Sequence, residues 1–263
     1  MNVLGSLPGL LDGRTLREVE PGIFSVLPSS AEGQKYDRRA EAYDHLIGNR
    51  WYNRIFWGTS PQQYRAFARD AVDSAGSGWV LDAGCGTLVF TASAYAAASH
   101  TPVIALDQSL GMLRRARERL GEEMNAEPGH VVFLQADLRD LPFRPGGVST
   151  VLSMGMLHLF DDLQPILSNL LQSLRPGGRL YLSSLVEGER FGDHYLRVLS
   201  RMGEVAALRT AAELETVVRQ NVRGRLRFSR TGNMAYAVCT LPNEGGEADA
   251  QAVQAPSSWR DLV

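Results

Sequence analysis

The residues whose types and order could do chemistry are Asp82, Gly84, Gly86, Asp107, Asp137 and His158. The first three sit in Trp79-Val80-Leu81-Asp82-Ala83-Gly84-Cys85-Gly86-Thr87-Leu88. This reads as a buried strand that breaks on two glycines and re-enters as a predicted helix from Val89 to Ala98. A glycine turn between strand and helix lets a ligand approach the backbone, facing amide groups and a helix N-terminus. A nicotinamide or flavin fingerprint needs a Gly or Ala three residues after the second glycine. Val89 stands there instead. Asp82 also puts a carboxylate where a pyrophosphate would pass, and a carboxylate suits a ligand carrying an ammonium group. A phosphate-cradling P-loop is excluded, because no Gly-Lys-Ser/Thr follows.

A frame must carry these residues. Val103 to Asp107, Val131 to Gln135, Ser149 to Met154 and Arg179 to Val186 read as further strands. Between them, Ser109 caps a helix running to Leu120, and Asp161 with Gln164 caps another through Leu174. Arg175-Pro176-Gly177-Gly178 is a stop and turn. One helical stretch is predicted from about Asp193 to Asn221. Arg225 to Ser229 and Met234 to Leu241 follow as a hairpin on Thr231-Gly232-Asn233. The alternation predicts an α/β fold. Its sheet is Rossmann-like, mostly parallel and seven-stranded, with helices on both faces and the last two strands an antiparallel hairpin.

Residues 1–33 are rich in Gly, Pro and Ser and read as an irregular N-terminal arm. Residues 34–75 read as a helical cap or lid. Tyr36 and Tyr43 share a face of its first helix, Trp51, Tyr52, Phe56 and Trp57 cluster behind them, and Ser60 and Pro61 open its last helix. The core is expected over 76–242, with a helical insertion near 187–222, and 243–263 as a disordered tail.

Val80-Leu81-Asp82-Ala83-Gly84-Cys85-Gly86-Thr87 resembles the first motif of the class I S-adenosylmethionine (SAM)-dependent methyltransferases. Within them the chain is most similar to the small-molecule branch that includes the ubiquinone/menaquinone-biosynthesis methyltransferases. Asp107, Asp137, Gly155-Met156-Leu157-His158 and Leu174-Arg175-Pro176-Gly177-Gly178 match in order, and the resemblance spans about 34 to 241. It implies SAM as cofactor and a core with these roles. Asp82 and the backbone of Gly84, Cys85, Gly86 and Thr87 would hold the methionine end, with Met154 beside them. Asp107 would accept from the ribose hydroxyls, or else be a turn acid. Gln108 and Met112 would flank the adenine. Asp137 with the Leu138 amide would read the adenine edge, or be a loop acid near Arg139. Tyr36 or Tyr43 would bond the methionine carboxylate and Trp57 line the lid, or all three would pack the cap onto the sheet.

Methyl transfer needs alignment of nucleophile, methyl and sulfur, and sometimes removal of a proton. His158 is the candidate base, with a structural role beside the pocket as its alternative. His194, Tyr195 and Arg197 would cover the acceptor, or be a helix start and a solvated face. Arg223, Arg225, Arg227 and Arg230 would meet an anionic acceptor, or guard an edge strand. Leu88 stands where the family has a third glycine; it is expected to turn away from the cofactor into the helix–sheet interface.

The totals narrow the partners. A net charge of −2 gives no general pull toward nucleic acid or an anionic membrane, and 44% apolar residues allow a substantial core. Cys85 and Cys239 are the only cysteines, and neither suggests a disulfide or a metal cluster. No membrane span and no signal peptide are read, so the cytoplasm is the expected compartment. The expected partner is a small-molecule methyl acceptor, with no metal and no nucleic acid, and with a homodimer admitted. The competing reading is a SAM-binding protein of the same fold that transfers no methyl, a cyclase-type catalyst or a regulator.

Overall fold

The computed structural model describes residues 3–28, 60–188, 190–203 and 205–243. Its strands are β1 (Arg17–Glu20), β2 (Ile23–Ser25), β3 (Val80–Ala83), β4 (Val103–Asp107), β5 (Val131–Gln135), β6 (Val148–Met154), β7 (Leu174–Leu185), β8 (Arg225–Thr231) and β9 (Met234–Thr240). They form one sheet in the order β1-β2-β5-β4-β3-β6-β7-β9-β8. From β2 to β7 the pairing is parallel. β1 joins β2, and β9 joins both β7 and β8, in antiparallel register. The chain reverses direction of growth at β3, with β4 on one side and β6 on the other. Open α/β sheets offer a crevice at such a switch point, outside the carboxyl ends of the strands. Ala83, Asp107 and Met154 mark that place.

The interior strands are apolar on both faces, as a covered parallel sheet requires. Leu81, Ile104, Leu106 and Val151 enter one core; Val80, Val103, Ala105 and Leu152 enter the other. The helices are α1 (Val3–Ser6), α2 (Pro61–Ser74), α3 (Ala92–Ala97), α4 (Leu110–Met124), α5 (Gln164–Ser173), α6 (Arg190–Arg201) and α7 (Ala211–Asn221). Residues of α2, α3 and α4 fill the second core, and those of α1, α5 and α7 the first. Ser60 and Gln63 form a capping box ahead of Pro61, so α2 starts where the sequence says it should. Ser109 caps α4 by accepting from the Met112 amide at 3.2 Å.

Four expectations need correction. The sheet has nine strands rather than seven, because the arm expected to be irregular contributes β1 and β2. Ile23 and Phe24 pair with Phe133 and Leu134, Val3, Leu7 and Leu11 are buried, and Arg114 binds Glu20 at 2.6 Å. Second, the helix expected from Val89 begins at Ala92, after a turn that Leu88 enters at φ +56°. Third, α5 is not capped by Asp161. Asp162 accepts from the Gln164 amide at 2.9 Å, and Leu163 occupies the cap position. Fourth, the stretch from 193 to 221 is two helices, α6 and α7. The second has its own capping box from Thr210 and Glu213.

Tyr36, Tyr43, Trp51, Tyr52, Phe56 and Trp57 lie outside the described residues, as does the tail beyond Asn243. Among the described residues no helix is long and apolar enough to cross a membrane.

Candidate cofactor and acceptor site

β3 ends at Ala83, and the backbone turns through Gly84 at φ +81° and Gly86 at φ +53°. Both values lie in the left-handed region that glycine adopts without a Cβ clash. The Gly84 and Cys85 amides both donate to the Leu106 carbonyl, at 2.8 and 2.9 Å. Gly86 donates its amide to Asp107 Oδ2 at 2.9 Å, and Ser109 donates its amide to Asp107 Oδ1 at 2.9 Å. One carboxylate therefore ties the glycine turn to the start of α4. Arg119 on α4 donates to both the carbonyl and the hydroxyl of Thr87, the latter at 2.8 Å. The Thr87 side chain is thus held from behind by a guanidinium. Cys85 is buried, and burial pushes its thiol well above the usual range.

Leu88 keeps a glycine-like backbone at φ +56° with a leucine side chain that is 1% exposed. It packs in the core of α2, α3 and α4, turned into the helix–sheet interface. The left-handed backbone costs a branched residue about 1 kcal/mol, and burial of the side chain offsets it.

Asp82 is 1% exposed. Its Oδ2 accepts a hydrogen bond from the Tyr95 hydroxyl of α3 at 2.7 Å. Burial pushes its pKa up to about 7; the Tyr95 bond opposes the rise and the charge of Asp107 adds to it. Tyr95 has no counterpart among the residues singled out from the sequence. The available signal was its size: α3 reads Ala-Ser-Ala-Tyr-Ala-Ala, with one large side chain among small ones. Met156 was also passed over as a site residue. Its thioether lies against Gly84, where a Cβ would stand 2.7 Å from Sδ. Gly86, by contrast, faces open space, with no atom within 4 Å of a Cβ position.

The remaining candidates flank this turn. Met112 is buried in the first turn of α4, and half-buried Gln108 accepts at its carbonyl from Gln135 at 3.0 Å. Asp137 accepts from the Arg139 amide at 2.9 Å, with the Arg139 guanidinium 3.7 Å away. Leu138 is buried in the first core, and its carbonyl accepts from Asn169 at 3.2 Å. Met154 is half-buried at the end of β6, and the neighbouring Ser153 hydroxyl donates to the Ala83 carbonyl at 2.8 Å. The turn of β6 and the turn of β3 are therefore bonded side by side.

His158 lies in a short 3₁₀ turn, Leu157–Leu159, after β6. The residue is half-buried, but its Nδ1 is sealed from water and has no hydrogen-bond partner. Burial, then the nearby Arg209 charge, pushes its pKa down to about 4, so the imidazole is neutral at pH 7. Its carbonyl accepts from the Ala206 amide at 3.0 Å, which ties the segment between α6 and α7 to this edge. Asp193 at the start of α6 accepts from the Gly188 amide and from Asn233 Nδ2, both at 2.7 Å. His194 and Arg197 are exposed on α6.

A central strand, a two-glycine turn and an acid on the next strand end, set at the switch point of this sheet, define the class I SAM-dependent methyltransferase fold. Residues 80–178 match the family described as "Methyltransferase domain". An uncharacterized chloroplastic methyltransferase of Arabidopsis thaliana, At1g78140, is 31% identical over 143 residues, which is 53% of this chain and 40% of that protein. A demethylmenaquinone methyltransferase of Clavibacter sepedonicus is 32% identical over 148 residues, 56% of this chain and 55% of that protein. The chain thus spans about half the length of the curated relatives it matches. Among solved structures, the [4+2]-cyclase SpnF superposes with a TM-score of 0.61 at 17% identity, over 80% of this chain and 96% of that one.

The residues present fit SAM, the cofactor of this family. Gly86 leaves its turn open, with a left-handed backbone that a side chain would strain. Among the described residues Asp82 has no ion pair, so a buried carboxyl at the turn lacks a cation. SAM carries an ammonium group that supplies one.

Proposed function

We propose that this protein transfers the methyl group of SAM to an O, C or N atom of a small organic metabolite, aromatic or amphipathic in character, by in-line displacement without a metal. The observation that carries the reading is the joining of Asp82, the Gly84–Gly86 turn and Asp107 at the ends of β3 and β4. SAM supplies an electrophilic methyl on a sulfonium. Asp82 and the backbone of Gly84, Cys85, Gly86 and Thr87 hold its methionine end, with Met154 alongside. Asp107 takes the ribose, Gln108 and Met112 flank the adenine, and Asp137 with the Leu138 amide reads its edge. Tyr36 or Tyr43 is the candidate to bond the methionine carboxylate.

His158 receives the proton where the acceptor must lose one. A base whose pKa lies near 4 drives proton transfer weakly. Most of the acceleration then comes from alignment of the two substrates and exclusion of water. The net charge of −2 favours a small acceptor over nucleic acid, and the reading places the protein in the cytoplasm.

The second reading, SAM binding without methyl transfer, draws on the likeness to a cyclase of the same fold, while Leu88 lends it little because its side chain packs into the helix–sheet interface. Calorimetric titration with SAM and with S-adenosylhomocysteine separates the two when followed by trideuteromethyl-SAM assays on aromatic and amphipathic metabolites. Binding of both ligands and label transfer to an acceptor is the expected result. Tight binding with no transfer to any acceptor would leave the second reading standing, and no binding would sink both.

A further inference from the structure

We infer that Tyr95 is a positioning residue for the ammonium group of SAM: its hydroxyl orients the buried Asp82 carboxyl, which passes from acid to carboxylate when the ammonium arrives. The inference rests on the SAM-binding reading above. Tyr95 is fully buried, its hydroxyl is 2.7 Å from Asp82 Oδ2, and Asp82 is the penultimate residue of the central strand. The tyrosine is anchored at its other end too, since its backbone carbonyl lies 3.0 Å from His130 Nε2. It is the one large side chain of α3, and it reaches the strand end alongside the Thr91 hydroxyl at the head of that helix.

The groups facing Asp82 are few. Tyr95 comes from α3, the neutral Thr91 hydroxyl from the head of that helix, Asp107 from β4 and Cys85 from the turn, and on the β6 side stands the neutral Ser153 hydroxyl, which bonds Ala83. None of them is cationic. A buried carboxylate with one phenolic donor and an acid neighbour holds a proton until a cation compensates it. The midpoint near pH 7 agrees with this geometry. When the ammonium takes up its place, the carboxyl loses its proton to solvent, and the Tyr95 hydroxyl stays as donor to the resulting carboxylate.

The test titrates the protein with SAM between pH 5.5 and 7.5 in two buffers of different ionisation enthalpy. Wild type should release a measurable fraction of a proton that grows as pH is lowered toward 5.5, and its Kd should weaken toward tenfold per unit as pH falls below the midpoint. Tyr95→Phe keeps the ring and removes the donor. Its midpoint should move up by about one unit, with Kd at pH 6.5 weakened up to about tenfold. Asp82→Asn should abolish proton release. A Tyr95 that only packs the helix would leave the pH profile of the Phe variant in place, and that result overturns the inference. SAM binding to wild type with a flat profile and no proton released overturns it as well, and decides the matter alone if Tyr95→Phe does not fold. Failure of wild type to bind SAM at any pH takes down the cofactor reading itself, and the inference with it.

Discussion

The two halves of the switch point are built differently. On the β3–β4 side, carboxylates and backbone amides mostly bond one another: Asp107 receives two amides, Asp82 receives a phenol, and Thr87 is clamped by Arg119, while the sealed Thr91 Oγ1 at the head of α3 has no hydrogen-bond partner. On the β6–β7 side, the same sheet edge carries sealed polar atoms with no partner, His158 Nδ1 and Asn233 Oδ1, under helices that hold on through Asp193 and Ala206. Satisfied polar networks rigidify a site, whereas unsatisfied ones leave it ready to meet a partner. The difference fits a protein that must bind one invariant cofactor on the first side and adapt to an acceptor on the second.

Breaking the rigid side should have the largest effect. Asp107→Ala removes two charge-assisted bonds within the turn and the proposed ribose contact. The bonds within the turn act on stability, whereas charge-assisted bonds to the two ribose hydroxyls, worth about 1.5 kcal/mol or more each, act on affinity, so SAM Kd should weaken about a hundredfold by calorimetry. Leu88→Gly separates stability from binding. Relief of the left-handed leucine returns about 1 kcal/mol, while emptying its buried site costs about 3 kcal/mol, for a net loss of about 2 kcal/mol. The Tm should fall by about 4 to 8 °C while SAM Kd changes less than about twofold. A large gain in affinity would instead mean that this side chain narrows the cofactor site.

The adaptable side should respond in rate alone. His158→Ala should lower kcat by about tenfold for acceptors that must lose a proton, with SAM Kd unchanged, because a base so weak contributes little. The sign of its pH dependence is fixed by the lowered pKa. The base form is full above about pH 5, and activity owed to it is lost only as pH falls through about 4. A rate inflection at pH 6 to 7 that vanishes in His158→Ala would show a more basic imidazole than this burial allows. Arg119→Met should have the smallest effect, weakening SAM about threefold by loosening Thr87, with little change in kcat.

The sequence made the core of this fold legible and left its margins obscure, for physical reasons. Val103–Asp107 and Val131–Gln135 are continuous apolar runs between turn signals, the signature of strands buried on both faces. Arg17–Glu20 is too short and too charged to show a period and Ile23–Ser25 is only three residues long, and they become strands because β5 offers an edge. The order of motif residues along the chain was readable, since Asp107 and Met154 close predicted strands and Asp82 lies next to the end of another. The Tyr95–Asp82 bond was not. It joins a helix to a strand through side-chain direction, and a hydrophobic pattern records which residues go inside without recording what they touch there.

The docking of β2 on β5 also bears on how the chain is made. Ile23 finds its partner only when Phe133 has been synthesised and β5 has taken its place beside β4. Until then Val3, Leu7, Leu11 and Ile23, all buried in the finished protein, have no surface to cover them. Long-range parallel pairing is slow, and unpaired apolar segments are prone to stick to other chains. The β1–β2 segment is thus made well before the strand it pairs with and is among the last to settle, and the yield on refolding should depend on protein concentration more steeply than that of a variant lacking the β1–β2 hairpin.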